Sequence, residues 1–98
     1  MIITTTESIN GYNIVEYKGI VSGTDIYLVG GLLGGGLANQ ENLYANAIIR
    51  ETKNLKNNAI AMGANGVVGI QNILVSPGNL NSIIVVVTGT AVKIEKVK

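Results

Sequence analysis

Met62-Gly63-Ala64-Asn65-Gly66-Val67-Val68-Gly69-Ile70 decides the reading of this chain, because within it a helix ends and a buried strand begins. Upstream, Tyr44, Ile48, Thr52, Leu55, Ala59 and Met62 recur at steps of three and four, the spacing that lines side chains along one stripe of a helix. The spacing predicts a helix from about Glu41 to Met62, with Asn39 as its cap and Glu41 near the positive end of its dipole. Gly63 supplies the left-handed residue that closes a helix, and Asn65-Gly66 a second reversal. Val67-Val68-Gly69-Ile70 is too short for a helix and β-branched enough for a buried strand. A helix that turns this tightly into a strand signals an α+β layer structure.

Working outward, Met1 to Thr6 reads as a first strand whose threonines suit an edge or bond across to a neighbour. Asn10-Gly11 is a hairpin-type turn dipeptide. Ile14 to Val21 then alternates, with Ile14, Glu16, Lys18 and Ile20 on one face and Val15, Tyr17, Gly19 and Val21 on the other. Gly19 and Gly23 mark bulges or close backbone approach, and Ile26 to Val29 continues the strand. After the Val67–Ile73 strand, Ser76-Pro77-Gly78-Asn79 is a turn. Ile83 to Val92 is a strand apolar on both faces. The helix covers one side of such a strand, and a neighbouring subunit is the candidate for the other.

Composition points the same way. The chain has 98 residues, read as a single domain over 1–98, and is 47% hydrophobic but only 13% charged. An ordinary soluble domain is about one-quarter charged. Seven basic and six acidic residues are too few to decorate a monomer, so a homo-oligomer is expected. A net charge of +1 with no basic cluster argues against nucleic acid. No cysteine, no secretory pattern and no membrane-length apolar run fit a cytoplasmic location with no membrane partner.

Several blocks, in order along nearly the whole chain, resemble the YbjQ-like family, a small bacterial family also called UPF0145 and carrying a heavy-metal-binding label. They are Gly63-Ala64-Asn65-Gly66-Val67-Val68-Gly69-Ile70, Thr88-Gly89-Thr90-Ala91-Val92, and Thr4-Thr5 with Gly11, Ile14, Tyr17, Gly19, Val21 and Gly23. The resemblance implies a β-β-α-β-β subunit, an antiparallel sheet with one long helix, similar to dodecin-type subunits and closing into a pentameric ring. It implies structure rather than activity. The chain departs from the family pattern after Gly23, where Thr24 and Asp25 replace glutamate, and before the helix, where Gly36 falls on an arginine position.

The chemistry is bounded by what the chain lacks. Soft metals want thiolate or imidazole, and there is no Cys and no His. Glu7, Glu16, Asp25, Glu41, Glu51 and Glu95 are scattered, so solvated carboxylates are expected rather than a metal site, with metal binding through carboxylates gathered at a ring axis the weakest alternative. No paired acids or base-activated nucleophile suggest catalysis, so no enzyme activity and no cofactor are expected. The glycine-rich Gly30 to Gly36 precedes a helix, where backbone amides can cradle an anion, yet it lacks both the P-loop and the dinucleotide pattern. Its plainer reading is a loop, with Leu32 and Leu33 gripping a symmetry mate or a partner protein. The leading expectation is a small, anionic or nucleotide-like ligand held at subunit interfaces. Its candidate residues are Tyr17, Tyr27 and Tyr44 for stacking, Arg50 and Lys53 for charge, and the amides of Gly34, Gly35 and Gly36. Interface packing is the alternative role for each tyrosine.

Overall fold

The computed structural model describes residues 1–28, 37–75 and 82–98. The element order is β1 (Ile2–Ile3), β2 (Tyr12–Leu28), α1 (Leu37–Ala61), β3 (Gly66–Val75) and β4 (Ser82–Lys96), the β-β-α-β-β plan of an α+β fold. The sheet order is β1-β3-β4-β2, with β2 and β3 both antiparallel to β4. The sheet is mixed rather than wholly antiparallel, because β1 runs parallel to β3 through Ile2 and Ile3 opposite Gly66 and Val67. Thr4, Thr5 and Thr6 leave the strand. The Thr6 and Thr4 carbonyls accept from the Gly69 and Ile70 amides at 2.8 and 3.1 Å, and the Thr4 and Thr6 hydroxyls bond each other at 2.8 Å.

β2 is one long strand, with irregularities between Ile14 and Glu16 and between Tyr17 and Gly19. Gly23 is a close approach and not a bulge. A Cβ there would lie 2.0 Å from the carbonyl oxygen of Glu51, so the helix backbone rests directly on the strand. That contact sets which helical face is buried. Ala47, Glu51, Leu55 and Ala59, at steps of four, are buried. The expected line of Tyr44, Ile48, Thr52 and Met62 is therefore rotated: Tyr44, Ile48 and Thr52 are half-buried, and Met62, beyond the helix, is exposed. The helix also starts earlier than its polar signals imply, so Asn39 lies within the first turn and caps nothing.

Gly63 closes the helix with φ +82°. The second positive φ falls on Gly69 (+64°), at the β3 irregularity between Val68 and Gln71, and not on Gly66. Asn65 instead ties the strand start to β4. Its side-chain amide donates to the Ile94 carbonyl at 3.0 Å and accepts from the Ile94 amide at 2.7 Å. The expected turn at Ser76 to Asn79 lies outside the described residues.

Alternation along β4 divides the core. Ile83, Val85, Val87 and Ala91 face the helix and are buried with Leu55, Ala59 and Val67 or with Ala47. On the opposite face Val92 and Ile94 are buried with Val68 against Ile2, Ile9, Tyr12 and Ile14. The rest of that face is open: Ile26, Ile84 and Val75 form one cross-strand row, and Thr24, Val86 and Ile73 the next. Ile26 is 63% exposed, and Ile73 and Val75 43% each.

Candidate functional site

Two polar groupings lie along α1. The first is buried where the helix crosses β2. Glu51 is fully buried and accepts hydrogen bonds from the Tyr27 hydroxyl and from the Asn54 amide, the latter at 2.8 Å. Burial, and then the hydrogen bond to Glu51, push the Tyr27 hydroxyl up to about 12 from an ordinary 10. The Arg50 guanidinium stands 6.0 Å from the centre of the Tyr27 ring and opposes that rise, at the outer limit of a cation–π contact. Tyr44 packs beside Tyr27 against the Ala47, Ile83 and Val85 cluster. The expected stacking residues Tyr27 and Tyr44 and the cation Arg50 are thus brought together, around a carboxylate that the sequence reading left in solvent. The missed signal was positional: Glu51 sits four residues from both Ala47 and Leu55, on the apolar line.

The second grouping is a groove of about 610 Å³ on the helix flank. Met1, Ile48, Ile49 and Ile60 form its apolar floor, and Lys53, Lys56, Thr52 and Asn57 supply its polar groups. Lys53 is exposed and Lys56 half-buried. Among the described residues the one ion pair is Lys18 with Glu16 at 3.0 Å, so neither groove lysine is neutralised there. Such a groove can hold a molecule with an apolar body and an anionic end. The Thr52 hydroxyl is engaged by the Ile48 carbonyl at 2.7 Å, which leaves the ammonium groups as the strong donors. Lys56 escaped the sequence reading because lysines on a polar face are ordinarily solvated.

Tyr17 stands apart, 69% exposed beside the second irregularity of β2, and joins neither grouping. Gly34, Gly35 and Gly36, with Leu32 and Leu33, lie outside the described residues.

Comparison with known proteins places this arrangement. The YbjQ family model, described as "Putative heavy-metal-binding", matches residues 1–95. The chain belongs to the YbjQ-like family, UPF0145. A UPF0145 protein of Clostridium botulinum (strain Alaska E43 / Type E3) is 41% identical over 106 residues, covering 97% of this chain and 100% of the relative. The UPF0145 protein of Acetivibrio thermocellus is 39% identical with the same coverage. A crystal structure of a protein of unknown function from Pediococcus pentosaceus ATCC 25745, of the DUF74 family, shares the fold. Its TM-score is 0.69 at 23% identity, over 97% of this chain and 98% of that one.

The donors of this YbjQ-like chain do not fit the soft metal that the family description names. It has no thiol and no imidazole, and its buried carboxylate, Glu51, is engaged by Tyr27 and Asn54. The two thioethers lie in different surroundings, Met1 in the helix groove and Met62 against Gly19. Among the described residues no three His, Cys, Asp or Glu side chains gather, and no helix is long and apolar enough to cross a membrane.

Proposed function

We propose that this YbjQ-like chain is a subunit of a homo-oligomeric ring, a pentamer, that binds a small anionic ligand with an apolar body at its subunit boundaries and does not transform it. The observation that carries the reading is the helix groove, where Lys53 and Lys56 rim an apolar floor that includes Ile49 and Ile60, 67% and 58% exposed. A single subunit walls this groove on one side only, and a neighbour laid across it would complete a pocket of the size that small ligands occupy. Arg50, one helical turn before Lys53, adds a third positive charge to the same surface. The described residues offer no nucleophile paired with a base, so binding without turnover is the chemistry that remains. The protein then stores, senses or sequesters its ligand.

Native mass spectrometry of protein purified gently from cells tests this. The expected result is a pentamer with a reproducible excess mass that Lys53→Glu with Lys56→Glu removes while the pentamer persists. Arg50→Ala reduces the excess. An empty pentamer under all conditions would overturn the ligand-binding reading.

A further inference from the structure

The sheet has two open edges, and both are open at the same end. β3 is guarded at its start, where β1 pairs with Gly66 and Val67 and the Thr4 and Thr6 carbonyls take the Ile70 and Gly69 amides. From Gln71 to Val75 no described strand lies beside its outer side. β2 is the opposite edge and has no outer neighbour along its length. Its first half is blunted in the ways that keep edges from pairing, by two irregularities and the Glu16–Lys18 pair. From Ile20 to Leu28 it carries no irregularity, no proline and no lysine. The unguarded stretches stand level with each other across β4, Ser22 with Gln71 through Thr88, Thr24 with Ile73 through Val86, and Ile26 with Val75 through Ile84. Rows that continue off both sides of a sheet, apolar on the open face, are a template for another strand.

Resting on the ring reading above, we infer that Ile20–Leu28 of β2 pairs directly with Gln71–Val75 of β3 in a second copy of this chain. The contact is head-to-tail, because the joined edges are different edges, and head-to-tail contacts close into rings where two-fold contacts stop at dimers. β2 and β3 both run antiparallel to β4 and so share a direction. Rotation about an axis along the strands keeps that direction, so the new pair is parallel and the sheet passes unbroken from copy to copy. Each junction joins the open apolar rows of neighbouring subunits and removes both unguarded edges at once. The occupant is a second copy rather than a foreign strand because one chain carries both halves of the contact at matching height. The elongated subunit agrees, with a radius of gyration of 16.0 Å against about 13 Å for a compact chain of this length.

The chain has no cysteine, so engineered thiols report on the contact alone. Thr24→Cys is combined in turn with Gln71→Cys, Ile73→Cys or Val75→Cys, all exposed positions that the fold tolerates. Within one chain, β4 keeps the two strands about 9–10 Å apart, beyond the reach of a disulfide, so every bridge formed lies between copies. Mild oxidation of at least one combination gives a ladder of covalent multimers on a non-reducing gel, and each single variant gives none. Dimers from Thr24→Cys alone would show a two-fold contact and overturn the inference. Absence of bridges in all three combinations, with native mass still oligomeric, would overturn it and leave the ring standing. A monomeric wild type would overturn both.

Discussion

Tyr27 and Glu51 show how one glycine arranges the chemistry of its neighbours. With no side chain at Gly23 the helix backbone settles onto β2, and the Glu51 carboxyl is carried into the core beside the Tyr27 hydroxyl. A buried carboxyl is tolerated only with hydrogen-bond donors around it, and Tyr27 and Asn54 supply them. Tyr27→Phe removes one donor and is expected to cost about 1–3 kcal/mol near neutral pH, read by urea denaturation. The same change alters the pH dependence. An unfolded chain releases the tyrosine proton near 10, whereas the folded chain holds it to about 12. Folding therefore takes up a proton in that window, and stability falls as pH rises through it. Wild type minus Tyr27→Phe isolates this slope; equal slopes in the two proteins would refute the assignment. The sequence flagged Tyr27 and Arg50 as a pair worth watching. Glu51 was invisible because a carboxylate is ordinarily a surface residue, and only a register set by Gly23 buries it.

At the scale of elements, the helix, the helix-closing Gly63 and the two-sided β4 could be read from residue order, because period and turn chemistry are local. The rotation of the buried helical line could not be read, since a contact between Gly23 and the Glu51 carbonyl joins positions far apart in sequence. Nor could the parallel pairing of β1, which depends on where the chain returns after β3 forms. The helix–strand contact carries the second prediction. Gly23→Ala places a methyl 2.0 Å from a backbone oxygen that no rotamer can move aside. The helix must lift, at a cost of roughly 3 kcal/mol, the upper end of ordinary overpacking. A denaturation midpoint unchanged from wild type would mean that the helix does not rest on Gly23.

For the whole molecule, sparse charge, an uncovered apolar half-sheet and two unguarded edges at one level converge on assembly. Composition alone suggested that something covers β4. Only the strand order shows which edges are free, because order β1-β3-β4-β2 places the two ends of the fold on opposite sides of one sheet. The groove beside Lys53 and Lys56 depends on the same assembly, since its missing wall must come from a neighbour. The central claim is therefore the ring itself. Light scattering of the purified protein, followed across dilution, measures it most directly. A mass of about five times the 10.2 kDa chain that persists on dilution is the predicted result, and a species of 10.2 kDa throughout would contradict the account.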